Sequence, residues 1–208
     1  MKKNCTEIVF ILDRSGSMCG LEKDTIWGFN SLINKQKKQD GEVLVSTVLF
    51  NDSSVVIHDR KPIDEVRLMT SKDYEVYGCT ALLDALGSSI HHIGNIHKYA
   101  RIEDVPEHTM FVIITDGMEN ASRYYSKERV KLMIEYEKEK YGWEFLFLAA
   151  NMDAIDTASQ YGIDKDHAVN YQCDSVGTRL NYEVLDEAIQ CICLGVPLSK
   201  SWKSKIEK

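Results

Sequence analysis

The fold is decided by residues 8–17, which read Ile-Val-Phe-Ile-Leu-Asp-Arg-Ser-Gly-Ser. The first five are apolar and rich in β-branched side chains, which predicts a strand from Thr6 to Leu12 that is buried on both faces of a sheet. The strand stops at Asp13, and a polar loop with the pattern D-x-S-x-S begins there. Loops at the carboxyl ends of buried strands are where ligands bind in open α/β sheets, so this loop is the first candidate for a functional site.

Strand and helix patterns alternate outward from this stretch. Runs 42–50 and 54–60 both favour strands, and the three residues between them permit an antiparallel hairpin and exclude a parallel crossover. The other predicted strands cover residues 109–115, 143–150 and 167–171, and the predicted helices cover 24–38, 81–99, 126–141, 153–161 and 181–194. The predicted fold is α/β, doubly wound and Rossmann-like, with a mostly parallel sheet, one antiparallel edge strand and helices on both faces.

Composition narrows the class of protein. The 208 residues include 44% hydrophobic and 27% charged residues, which is typical of a globular domain, and the net charge of −7 makes nucleic-acid binding an unfavourable hypothesis. The six cysteines form no C-x-x-C pair, so the sequence offers no zinc-ribbon or thioredoxin-type motif. No apolar run has the length of a membrane span or a signal-peptide core, so we expect a cytoplasmic protein with no membrane partner. We expect one domain over residues 1–198 and a polar tail over residues 199–208.

Oxygen-bearing side chains follow two predicted strands and precede one predicted helix. Asp13, Ser15 and Ser17 come from the first loop, Thr80 stands before the helix that starts at Ala81, and Asp116 follows the strand 109–115. Two carboxylates and three hydroxyls are a ligand set that suits a hard cation such as Mg²⁺. Taken separately, Asp13 with Ser15 also fits a helix cap, and Thr115-Asp116-Gly117 also fits a simple turn.

The three motifs together, in this order, resemble the metal-ion-dependent adhesion site of von Willebrand factor A domains. That resemblance implies that Ser15, Ser17 and Thr80 bind Mg²⁺ directly, with Asp13 and Asp116 acting directly or through water; Mn²⁺ or Ca²⁺ would suit the same donors. It further implies an open coordination position that an Asp or Glu carboxylate of a protein partner fills. Residues 148–155 are similar to stand-alone intracellular A domains of bacteria and phages. The resemblance thus predicts a metal-dependent protein-interaction module.

Residues beside the motifs have alternative roles. Arg14, Glu119 and Asn120 are predicted to form a rim that contacts the partner. A solvated loop is the alternative for Glu119 and Asn120, and stacking on the protein surface is the alternative for Arg14. Cys19 and Cys79 each adjoin a metal motif, which leaves open a redox bridge between them.

Two other functions remain as alternatives to the interaction module. A Mg²⁺-dependent hydrolase of phosphate esters is the first, although the chain has no phosphate-binding G-x-x-x-x-G-K-[ST] loop. An RNA-associated A domain is the second, and the acidic balance disfavours it.

Overall fold

The computed structural model describes residues 1–196, 198 and 200–206. Its sheet has six strands in the order β3-β2-β1-β4-β5-β6. The strands are β1 (Lys2–Asp13), β2 (Glu42–Phe50), β3 (Ser54–Pro62), β4 (Pro106–Thr115), β5 (Glu144–Ala149) and β6 (Ala168–Asn170). Only the β2–β3 pair is antiparallel within this sheet, which confirms a mostly parallel sheet with one antiparallel edge strand.

Five α-helices of the described chain cover the two faces of the sheet. They are α1 (Glu22–Gln36), α2 (Leu82–Tyr99), α3 (Lys127–Tyr141), α4 (Ala154–Gln160) and α5 (Ser175–Cys193). Helices α1 and α5 pack on one face and α2, α3 and α4 on the other, and each face has its own apolar core. In β1, Phe10 enters the first core and Ile11 the second, because successive side chains of a strand point to opposite faces. The predicted two-sided burial of this strand is therefore confirmed.

Capping residues set the ends of two helices. Ser126 caps α3 by accepting a hydrogen bond from the Arg129 main-chain N–H, and Gly142 ends the helix at φ 67°. Helix α5 starts at Ser175, six residues before the predicted start at Asn181, because the Asp174 side chain accepts from the Gly177 N–H. The first turn of α5 (Ser-Val-Gly-Thr) has one large apolar residue, Val176, which is exposed, so apolar periodicity does not reveal it.

The chain segment after α5 contacts the domain within the predicted polar tail. Trp202 is buried in the α1–α5 core, and its indole N–H donates to the Asp166 main-chain oxygen. Lys203 is also buried, and its Nζ donates to the main-chain oxygens of Lys165 and Ala168. The domain boundary at residue 198 stays a prediction; Ser199, Glu207 and Lys208 lie outside the described residues.

The order of the strands positions a crevice at the centre of the sheet. The chain runs outward from β1 to β2 and β3, returns to β4 on the other side of β1, and continues outward through β5 and β6. The connections that leave β1 and β4 therefore diverge, which opens a crevice beyond their carboxyl ends. Both carboxylates of the predicted metal site stand there, Asp13 as the last residue of β1 and Asp116 directly after β4. Among the described helices, none combines the length and apolar character that crossing a bilayer requires.

Candidate metal centre

Asp13 is held at the end of β1 by hydrogen bonds to both of its carboxylate oxygens. The Ser15 main-chain N–H donates to Oδ1 at 2.7 Å, and the Thr115 hydroxyl donates to Oδ2 at 2.6 Å. Burial raises the pKa of Asp13, the bonds from Thr115 and Ser15 oppose that rise, and the negative charge of Asp116 adds to it. A buried carboxylate beside a second carboxylate is an environment that a bound cation would stabilise.

Ser17 connects the β1 loop with the β4 loop. Its hydroxyl donates to Oδ1 of Asp116 at 2.5 Å and lies 3.1 Å from the hydroxyl of Ser15. Asp13, Ser15 and Asp116 are buried, whereas Ser17 is exposed. Four of the five predicted ligands, Asp13, Ser15, Ser17 and Asp116, are therefore linked by hydrogen bonds. This network reaches the surface at Ser17.

Gly117 shows that the three hydroxyls converge. A Cβ atom built on this glycine would lie 2.7 Å from Thr80 Oγ1, 3.0 Å from Ser17 Oγ and 3.4 Å from Ser15 Oγ. One point beside the glycine is thus within contact distance of hydroxyls from two separate loops. The residues fit a hard cation by this convergence and by their all-oxygen chemistry.

The main chain of Thr80 is fixed by two hydrogen bonds with Asn120, one to its side chain and one from its main chain. The Thr80 N–H donates to Oδ1 of Asn120 at 2.9 Å, and the Asn120 N–H donates to the Thr80 carbonyl oxygen at 3.0 Å. Glu119 accepts hydrogen bonds from the main-chain N–H groups of Leu83 and Ser122, both at 2.8 Å. These contacts support the start of α2. Glu119 is partly exposed and Asn120 is exposed, and a partner-binding rim that includes them stays a prediction.

Arg14, the third residue of the predicted rim, is almost fully buried. Only 8% of its surface is exposed, and its guanidinium lies over the ring of Tyr77, with Cζ 5.5 Å from the ring centroid. Its main-chain N–H donates to the Phe50 carbonyl oxygen at 2.7 Å. Arg14 therefore packs the loop against its neighbours, and its contact with a partner stays a prediction.

The segment between β3 and α2 supports the site, a role that no motif in the sequence indicates. The buried hydroxyl of Tyr74 donates to the main-chain oxygen of Asp13, and its pKa is raised by burial, so it stays a neutral donor. The Tyr77 N–H donates to the Arg14 oxygen at 3.1 Å, and the Gly16 N–H donates to the Gly78 oxygen at 3.0 Å. The segment thus clamps the D-x-S-x-S loop from outside.

Two further residues join the site without having been predicted as part of it. The Thr115 hydroxyl orients Asp13, and the position of this threonine directly before Asp116 is the signal that the sequence offers. The Cys173 thiol lies 3.4 Å from Oδ2 of Asp116, and its pKa is raised by burial and by that hydrogen bond. The thiol arrives from the loop after β6, so only the fold brings it to the site.

The candidate centre differs from metal sites built on His and Cys. Throughout residues 1–196, 198 and 200–206, no three His, Cys, Asp or Glu side chains group in a way that could hold a metal ion. The centre instead combines the carboxylates of Asp13 and Asp116 with three hydroxyls.

All six cysteines are free thiols, and Cys19 and Cys79 are exposed. A redox bridge between those two stays untested.

Comparison with known proteins identifies the fold. No family model and no curated protein matches the sequence. Among solved structures, the chain is similar to the von Willebrand factor domain of the type V pilus tip protein Mfa5 from Porphyromonas gingivalis, with a TM-score of 0.64, 9% identity, and coverage of 92% of this chain and 96% of that one. BatB from Bacteroides thetaiotaomicron matches with a TM-score of 0.55, 12% identity, and coverage of 91% and 99%.

A third neighbour contains a metal. Proximal thread matrix protein 1 from the mussel byssus, in a structure described as having a zinc-occupied MIDAS motif (MIDAS being the metal-ion-dependent adhesion site), matches with a TM-score of 0.61 and 14% identity. This match covers 91% of our chain but 47% of the mussel protein. The chain likewise spans 64% of the PilB minor pilin of Streptococcus sanguinis and 42% of a von Willebrand factor type A protein of Catenulispora acidiphila.

These likenesses, together with the sheet order, define the class of protein: the chain has the von Willebrand factor A fold. At 9–14% identity in these structures, the likeness establishes the fold alone.

Proposed function

We propose that this chain is a metal-dependent protein-interaction module. Asp13, Ser15, Ser17, Thr80 and Asp116 would hold Mg²⁺, and a partner's Asp or Glu carboxylate would complete the coordination of the ion. The convergence of three hydroxyl oxygens beside Gly117 is the observation that carries this proposal. Mn²⁺ or Ca²⁺ would bind the same oxygens.

The donor set explains why an outside carboxylate would be attracted. Mg²⁺ requires octahedral coordination by oxygen and seldom receives all six ligands from one protein. The site supplies two formal negative charges, and Thr115, Ser15 and Ser17 already donate hydrogen bonds to those carboxylates. A bound divalent ion supplies an electrophilic centre there, and the protein's own groups hold the carboxylates in place around it.

Metal binding is tested first, independently of any partner. Calorimetric titration of the wild type with MgCl₂, MnCl₂ and CaCl₂ should show one site. Ser17→Ala and Asp116→Asn should weaken binding about tenfold or more, because each removes a donor or its charge. Ser31→Ala, at a partly exposed position of α1, is the matched control and should bind as the wild type does. Equal affinity in all four proteins contradicts the proposed site.

Partner binding is tested with synthetic peptides of defined content. One pool of nine-residue peptides has a central Asp with all other positions randomised, and a second pool has a central Asn. The immobilised protein should retain the Asp pool in MgCl₂ and release it in EDTA, and it should retain little of the Asn pool. Equal retention of the two pools, or retention that survives EDTA, contradicts carboxylate recognition through a metal.

The alternatives keep their own tests. A phosphatase screen with Mg²⁺ and Mn²⁺ addresses the hydrolase of phosphate esters, and a salt-dependent gel shift addresses the RNA-associated domain.

We also propose a cytoplasmic location for the interaction module. The six free thiols support it because disulfides are uncommon in reducing compartments.

A further inference from the structure

A groove lies beside the candidate metal centre. It has a volume of about 600 Å³, and its wall includes Gly117, beside which the three hydroxyls converge. Its apolar surface comes from Leu82, Leu83, Met118, Met152 and Tyr161. We call it the Met118 groove. The groove adjoins the metal centre at Gly117.

The Met118 groove offers apolar surface to a side chain of a partner. Met118 is 70% exposed, although the leucines and Tyr161 beneath are buried. A large exposed methionine beside a second, partly exposed one, Met152, forms an adaptable apolar wall, since methionine is unbranched and polarisable. An aliphatic side chain placed between these residues would bury apolar area on both sides.

The rim of the groove near α4 is negatively charged. Asp153 and Asp156 are exposed there, and within the described residues neither forms a salt bridge. Their hydrogen bonds stay inside the helix: Asp153 caps the Asp156 N–H, and Asp156 accepts from Gln160. Lys127, a cation in the groove wall, donates its Nζ to the Gln160 side-chain oxygen at 2.9 Å. Across the described part of the chain, these two carboxylates thus face solvent without a cationic partner.

We infer that the Met118 groove selects the partner segment by its residues beside the metal-binding Asp or Glu: an aliphatic side chain for the groove and a Lys or Arg for Asp153 and Asp156. This inference rests on the proposed function. In this arrangement the acidic residue coordinates the metal, the aliphatic residue occupies the groove, and the basic residue pairs with the two aspartates at the rim. Opposite charges across an interface chiefly determine partner choice, which is the role of the two aspartates in this arrangement.

The randomised Asp pool tests the inference, because the retained peptides can be sequenced. With the wild type in MgCl₂, positions on one side of the Asp should be enriched in Leu, Ile or Met and in Lys or Arg over Asp or Glu. The double variant Asp153→Lys/Asp156→Lys should reverse the charge preference by about tenfold, as two exposed charge pairs allow. Met118→Ser should remove the aliphatic enrichment and leave the charge preference unchanged.

Matched controls separate the groove from general effects. Glu65→Lys/Glu139→Lys changes the net charge by the same amount at exposed positions on the β3–α2 connection and on α3, and it should keep the wild-type preference. Leu132→Ser removes an exposed aliphatic side chain of α3 and should keep the aliphatic enrichment.

The outcomes also separate the two proposals. Metal-dependent retention of Asp peptides with no preference beside the Asp, or with a preference that the groove variants leave unchanged, overturns the groove and leaves the proposed function standing. Retention that is independent of both Asp and metal overturns the proposed function and the groove together.

Discussion

Replacing Gly117 by Ala is the sharpest test of the candidate centre. The added methyl group would lie 2.7 Å from Thr80 Oγ1 and 3.0 Å from Ser17 Oγ, whereas ordinary van der Waals contact begins at 3.4 Å. The φ angle of Gly117 lies outside the left-handed region, so the backbone itself accepts alanine. The methyl would therefore occupy the point on which the hydroxyls converge without straining the main chain.

The expected effect on metal affinity is large and the effect on stability is small. Displacing two of the three hydroxyls by a few tenths of an ångström should weaken Mg²⁺ binding by about 10–100-fold, the range seen when groups that orient metal ligands are disturbed. The free energy of unfolding without metal should change by no more than about 1 kcal/mol, because the reduced entropy of the unfolded alanine chain offsets part of the crowding.

The assay combines calorimetric Mg²⁺ titration with urea denaturation in EDTA. Gly94→Ala is the matched control, since a Cβ there would meet only Oε1 of Glu137 at 3.3 Å and two atoms at 3.9–4.0 Å, and Gly94 lies within α2. That control should bind Mg²⁺ as the wild type does. Wild-type affinity in Gly117→Ala would refute the placement of a metal ion among these hydroxyls.

Three further predictions follow from single contacts. Thr115→Val removes the 2.6 Å hydrogen bond to Asp13, which should raise the pKa of Asp13 further and weaken Mg²⁺ binding about tenfold in calorimetry; an unchanged affinity would show that the hydroxyl does not orient the carboxylate. Asp73→Asn breaks a bidentate ion pair with Arg67, which holds the pKa of Asp73 far below its usual range. Urea denaturation at pH 7, above the pKa of Asp73 in the unfolded chain, should therefore show a loss of about 1 kcal/mol in the free energy of unfolding. The gap between variant and wild type should narrow as the pH falls towards the depressed folded pKa, and a gap that is independent of pH would contradict the ion pair. Trp202→Ala should lower the free energy of unfolding by about 3 kcal/mol because the indole is buried in the α1–α5 core, and a change under about 0.5 kcal/mol would show that the segment does not pack in solution.

Local sequence patterns predict the fold because their physical causes are local. The apolar run before Asp13 has no polar face, so it has to be covered on both sides, and the structure places cores on both. The three-residue link between β2 and β3 permits only a hairpin, and that pair is the antiparallel one. Helix α5 shows the limit, because its start depends on the Asp174 cap and its first turn has no apolar periodicity.

The order of the strands turns motifs that are distant in the sequence into neighbours. Asp13 and Asp116 are 103 positions apart, and they meet because β1 and β4 pair in parallel and end at the same edge of the sheet. The sequence supports this meeting only through the resemblance to A domains, since no local pattern records which strands pair.

The sequence by itself determined the class of fold, because periodicity is a property of short segments, and it supplied the five proposed ligands through motifs that resemble those of A domains. Only the tertiary structure decided the roles of the surrounding residues. Thr115 and Tyr74 hold Asp13, whereas Glu119 and Asn120 accept hydrogen bonds from the start of α2 and Arg14 packs on Tyr77. Such roles depend on hydrogen bonds between segments that the fold brings together, and they are absent from any single stretch of the chain.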